Sequence, residues 1–185
     1  MDDGKIIELF FARSENAIVQ LSEKYGNSCH RIAANILKDE FEAEECVNDT
    51  YLAAWNTIPP EKPNPLFAYI CRIVRNLSIK RYHRNTAKKR NSYYDASLDE
   101  LEGCIPAANR VDDEISAIEL SGMIDGFLSG LDRENRVMFV RRYWFSDSVS
   151  AIAAIFKMSN HAVTVRLSRT RERLRRYLEE RGIAL

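Results

Sequence analysis

Apolar residues recur along this chain at steps of three and four, and strict alternation never lasts long enough to make a strand. Ile18, Leu21, Tyr25, Cys29, Ile32 and Ile36 fall on one face of a helix. Asp39 followed by Glu42 reads as a capping box that opens a second helix. Ala43, Cys46, Val47, Thr50, Tyr51 and Ala54 line one side of it, while Glu45, Asn48 and Asp49 stand on the other. Pro59, Pro60 and Pro63 then forbid continuous helix and stiffen a loop. Asn64 and Pro65 supply an N-cap and a first-turn proline for a helix running to about Arg84. Phe67, Ile70, Cys71, Val74 and Leu77 face one way in that helix, with Arg72, Arg75 and Asn76 on the remaining surface. Helical period of this kind confines the chain to helix-on-helix packing, an all-α fold.

The period lapses between residues 86 and 111, where Gly103, Pro106 and a polar run from Asn91 to Asp99 read as a flexible linker. It resumes near Asp112, with Ile115, Ile118, Met123, Ile124, Phe127 and Leu128 in a helix that stops at Gly130. Asp132 opens the next helix, with Val137, Met138, Val140 and Tyr143 inward. The expectation is two small helical domains, residues 12–90 and 112–185, joined by an acidic linker over 91–111.

The last third has helix-turn-helix spacing. Ser148 to Phe156 forms a short helix, Lys157 and Met158 a tight turn, and Ser159 caps a second helix reaching about Glu180. Ala153 is small enough to let the two helices approach, and Met158 fills the corner. Such a pair presents the start of its second helix to the major groove. Here that helix offers Asn160, His161, Thr164, Val165, Ser168 and Arg169 outward. The alternative is a plain helical hairpin with a solvated basic tail.

Charge supports a nucleic-acid partner, although 27 basic and 27 acidic residues cancel over the 185-residue chain. No acidic residue falls between Lys62 and Tyr94, a stretch that carries nine lysines and arginines. The next stretch, from Asp95 to Asp125, is acidic, and the segment from Lys157 to Arg181 is basic again. Lysine and arginine grouped in this way form an electrostatic footprint for phosphate.

Other classes fit poorly. Cys29, Cys46, Cys71 and Cys104 have no CxxC or CxxH spacing, so buried thiols in a reducing compartment are expected. His30, His83 and His161 fall in separate elements, and no Gly-rich phosphate loop occurs among only 7 glycines. Neither an enzyme nor a metal or other cofactor is expected. The opening Met1, Asp2, Asp3 lacks a signal-peptide pattern, and no run approaches the ~20 apolar residues that span a bilayer. The reading is a soluble cytoplasmic protein without membrane insertion.

The order of these motifs resembles a known family. The stretch from Glu42 to Tyr51, with Trp55, resembles the region 2 helix of bacterial sigma factors, and Leu66 to Asn76 the helix that follows it. Leu131 to Tyr143 and Val163 to Leu174 resemble region 4. Length and order are similar to the extracytoplasmic-function group, which keeps only regions 2 and 4, and the resemblance covers roughly residues 12 to 180.

The resemblance implies a factor that binds core RNA polymerase and directs promoter-specific initiation. Glu45, Asn48 and Asp49 would dock on polymerase. Asn56, Lys62, Asn64, Arg72, Arg75, Asn76, Lys80 and Arg81 would read and hold the opened −10 element. Trp55, Phe67, Tyr69 and Tyr82 are candidates for stacking on its bases, with Trp55 and Phe67 reading first as core. Arg142, Asn160, Thr164, Val165, Ser168, Arg169 and Arg171 would meet the duplex −35 element. Family habit adds an anti-sigma partner.

Three positions depart from the family pattern. Lys157 stands where the turn often has Gly, Ala151 where a glutamate usually precedes the Ile-Ala pair, and Thr164-Val165 where a basic-plus-serine pair is common. The alternative function is a dimeric helix-turn-helix regulator on palindromic sites, with an N-terminal sensing or dimerisation domain. The cancelling charges also suggest that acidic residues of the linker (Asp95, Asp99, Glu100, Glu102) fold over a basic face.

Overall fold

The structure, a computed structural model, describes residues 1–85, 93–101, 104–105 and 114–183. Every regular element among the described residues is a helix, so the fold is all-α. The chain divides into two compact units, Met1–Ser92 and Tyr93–Leu185.

The first unit contains α1 (Asp3–Phe11), α2 (Asn16–Leu37), α3 (Glu40–Thr57) and α4 (Leu66–Asn85). Helices α2, α3 and α4 pack on one another, and α1 lies against α2. Leu21, Ile32 and Ile36 of α2, Cys46 of α3, and Ile70 and Val74 of α4 are fully buried. Burying each large aliphatic side chain is worth about 1.5–3 kcal/mol.

Helix α2 ends where Lys38 turns left-handed (φ 55°). Asp39 then goes extended, and its side chain accepts the Glu42 N–H at 2.9 Å, which starts α3 as the cap pattern predicts. Pro65 sits one place outside its expected position. Leu66 is the first helical residue, and the Pro65 carbonyl accepts the Tyr69 N–H at 3.3 Å. A proline loses nothing there, because the first N–H groups of a helix lack intrahelical partners.

Helix α1 lies upstream of the predicted domain start. Ile6 and Phe10 are fully buried, and the Asp3 carboxylate accepts from Lys24 Nζ and Tyr25 Oη, both at 2.6 Å. At its far end Arg13 donates to the Trp55 carbonyl at 2.6 Å, with its guanidinium 5.3 Å from the Trp55 ring centre.

The second unit contains α5 (Tyr93–Leu101), α6 (Glu114–Ser129), α7 (Arg133–Tyr143), α8 (Val149–Phe156) and α9 (Asn160–Glu179). Phe127, Met138, Phe139, Ile152, Val163, Leu167 and Leu174 are among its core residues, and Met158 packs against them from the turn. In α7 Met138 and Tyr143 are buried as expected and Phe139 joins them, whereas Val137, expected inside, is exposed.

The flexible linker expected over 91–111 is helical through 93–101. Helix α5 packs on α7, with Tyr94 and Ser97 buried and Leu101 against the core. Ser97 satisfies its hydroxyl by donating to the Tyr94 carbonyl at 2.8 Å, so a polar residue occupies an inward position and breaks the apolar period. Residues 102–103 and 106–113, which include the rest of that segment and the expected cap Asp112, lie outside the described residues.

Candidate functional site

The outward face of α3 is acidic and apolar at once. Glu45, Asn48 and Asp49 are exposed, as the sequence predicts. Phe41 (69% exposed) and Leu52 (59%) share their stripe at helical spacing, a feature sequence reasoning missed. Scoring positions 41, 45, 48 and 52 on one wheel would have found it.

Behind that face stands Arg81 of α4. Its Nη1 donates to Glu42 Oε2 at 3.0 Å and to Glu45 Oε2 at 2.6 Å, and its Nη2 to Asp49 Oδ2 at 2.9 Å. Burial alone would lower the guanidinium pKa, but the hydrogen bonds it donates to Glu45 and Glu42 outweigh that and hold it above the usual value. Arg81 was expected among the DNA-facing cations; its donors are instead turned into the carboxylates of α3.

The other candidates on the loop and α4 are mostly at the surface. Asn56, Lys62, Asn64, Arg72, Asn76 and Lys80 are exposed, and Arg75 is half-buried. Tyr69 ties the start of the loop to α4. Its hydroxyl donates to Thr57 Oγ1 at 2.9 Å, and the Arg72 guanidinium stands 5.3 Å from its ring centre. Trp55 packs beside Phe10 and Phe67 beside Tyr25, with ring centres 6.2 and 5.1 Å apart, which favours the core reading for both. Tyr82 is buried as well.

In the second unit, the Ser148 hydroxyl caps α8 by accepting the Ala151 N–H at 3.1 Å, and Ser159 caps α9 by accepting from Ala162 at 3.2 Å. Lys157 joins the two in the left-handed region, φ 53°, as its place in the turn implies. On α9, Asn160, Thr164, Ser168 and Arg169 are exposed and Val165 is half-buried, so these five share the outward side of one helix. The Thr164 hydroxyl donates back to the Asn160 carbonyl at 3.0 Å.

Arg142 and Arg171 do not join them in solvent. The side chain of Arg142 is 4% exposed. It donates to the Asp147 carbonyl at 2.9 Å and, through Nε at 3.1 Å, to Glu100 of α5. Arg171 donates to the Tyr143 hydroxyl at 2.6 Å and to Glu100 at 3.1 Å, and Tyr143 itself donates to Glu100 at 2.8 Å. Burial, followed by the Glu100 charge, pushes the Tyr143 phenol well above its ordinary pKa. One linker carboxylate therefore covers two of the guanidinium groups expected at DNA. They are held inside because a buried cation needs a counter-charge.

Residues 21–88, from α2 through the end of α4, match the family model of sigma-70 region 2. This stretch is a sigma-70 region 2. This region 2 contains the acidic face of α3, the proline-bearing loop and the basic surface of α4, while α1 precedes it. No protein of curated function matches this chain by sequence. Among solved structures it is similar to CnrH in complex with the cytosolic domain of CnrY, at 22% identity and a TM-score of 0.45, over 96% of this chain and 97% of that one. Among the described residues no three His, Cys, Asp or Glu side chains are grouped to hold a metal, and no helix is long and apolar enough to cross a membrane.

Proposed function

We propose that this chain is a cytoplasmic sigma factor of the sigma-70 family, of the extracytoplasmic-function type. It binds core RNA polymerase through the face of α3 that carries Glu45, Asn48 and Asp49. Phe41 and Leu52 on the same stripe would add apolar contact to charge complementarity, which steers encounter and fixes register. The loop residues Asn56, Lys62 and Asn64, with Arg72, Arg75, Asn76 and Lys80 on α4, would hold the separated −10 strand. A cationic groove with a stacking ring suits unpaired DNA, and Tyr69, half-buried beside Arg72, is the ring that fits. Helix α9 would enter the major groove of the −35 element, with Asn160, Thr164, Ser168 and Arg169 at base edges or phosphates. Val165 would meet a thymine methyl. No catalytic group is required of the chain, because phosphoryl transfer belongs to polymerase. An anti-sigma protein that covers these surfaces is the expected restraint.

The observation that carries the reading is the match to sigma-70 region 2 over the unit whose exposed residues form an acidic face and a basic one. It is supported by α8, the left-handed Lys157 turn and α9, which have helix-turn-helix form in the second unit.

The deciding experiment is transcription from a promoter library by purified core polymerase, with and without this chain. Protein-dependent starts at sites sharing two spaced elements are expected. Failure to bind core or to initiate, together with dimeric binding of palindromic duplex by the chain alone, would replace this reading with that of a regulator.

A further inference from the structure

We infer that Arg81 is a positioning residue for polymerase docking, acting through Glu45 and Asp49. The inference rests on the function proposed above and takes Arg81 out of the DNA-binding set. Glu42, Glu45 and Asp49 lie three and four residues apart along α3, so their carboxylates are neighbours on one helical stripe. Left alone, three like charges at that spacing repel one another and splay into solvent. The Arg81 guanidinium takes one oxygen from each, at 3.0, 2.6 and 2.9 Å.

Relative exposure gives the arrangement its direction. The Arg81 side chain is 14% exposed, against 48% for Glu45 and 51% for Asp49. The cation is recessed and the anions stand in front of it, so an approaching protein meets oriented carboxylates. Three carboxylates against one guanidinium leave the face negative, which a cationic partner surface requires. A planar fork of donors can hold several acceptors at fixed angles, which a lysine ammonium does less well. DNA phosphate would have to displace three intramolecular bonds to reach Arg81, whereas Asn76 and Lys80 on the same helix are already exposed.

The test compares the full chain with Arg81→Met, Arg81→Lys and Asp49→Asn variants. It reads the dissociation constant for core polymerase and the salt dependence of promoter-fragment binding by the assembled holoenzyme. Arg81→Met should weaken core binding about tenfold, within the range shown by coupled charged neighbours. Arg81→Lys should restore part of that, and the salt slope on DNA should not change. With Glu45→Gln and Asp49→Asn already in place, Arg81→Met should cost nothing further, and this cycle also covers the case in which the single variant folds poorly. Unchanged core affinity with a DNA salt slope smaller by about 1 would make Arg81 a phosphate ligand and overturn the inference. Additive losses in the cycle would overturn it too. If the unaltered chain fails to bind core polymerase, it is the proposed function that falls.

Discussion

The Glu100 carboxylate accepts from Arg142 Nε at 3.1 Å and is the acidic partner of a side chain that is only 4% exposed. Glu100 belongs to a segment that reads from sequence as linker, yet it supplies counter-charge to the second unit. Removing it leaves a buried guanidinium without its anion. Glu100→Ala should cost that unit about 3 kcal/mol, the low end for breaking a buried pair because Glu100 is itself partly exposed. Trp144 reports on this unit, so denaturant unfolding followed by fluorescence in a Trp55→Phe background is the measurement. A change below 1 kcal/mol would mean that α5 is not integral to the fold.

Lys157 holds a left-handed conformation at φ 53° between α8 and α9. A side chain there costs roughly 1–2 kcal/mol in steric strain, part of which glycine returns as greater freedom in the unfolded chain. Lys157→Gly should therefore stabilise the second unit by about 1 kcal/mol, seen as a higher melting temperature, with binding to duplex DNA retained.

Acid should weaken the cap of α7. The Asp132 side chain accepts the Asn135 N–H at 3.0 Å and the Asn135 amide at 2.6 Å, and these bonds hold its carboxyl below the ordinary 3.8. A lowered folded-state pKa means that the cap's contribution is complete above about 3.8 and is lost as pH falls through the lower folded value. Thermal melts from pH 6 to pH 2.5 should show an acid-dependent loss that is smaller in Asp132→Asn. Identical slopes for both chains would exclude a role for this carboxylate.

Thiol chemistry should be confined to one cysteine. Burial pushes the Cys29 thiol up to about 12 and the Cys71 thiol up to about 11, and burial raises Cys46 as well. Cys104 is half-buried. A disulfide reagent at pH 8 should label Cys104 first and the other three only on unfolding, because the thiolate is the reacting form. Rapid labelling of Cys29 in the folded chain would contradict the packing of α2 against α3 and α4.

Long periodic segments made most of the fold legible. Helices α2, α3 and α9 follow from apolar spacing, and the starts of α3 and α9 from Asp39 and Ser159, because a cap is a local device that tertiary packing need not override. Helix α1 buries only Ile6, Ile7 and Phe10 over nine residues, too few turns for periodicity to stand out, although Asp2 caps it by accepting the Gly4 N–H at 3.2 Å. Helix α5 was hidden because Ser97 faces inward and looks like a loop residue. Among the candidate residues, sequence could say which arginines share a face with which neighbours. It could not say that Arg81 and Arg142 are spent on carboxylates 32–42 positions away, because pairing of that kind is decided by how helices cross.

The sharing of one guanidinium by Glu42, Glu45 and Asp49 has a meaning for descent as well as for docking. Four positions on two helices depend on a single charge balance, so none of them can drift alone at low cost. In lineages related to this chain, loss of arginine at position 81 should travel with loss of an acid at 45 or 49. Each such pair of changes would record a polymerase surface that shifted in step.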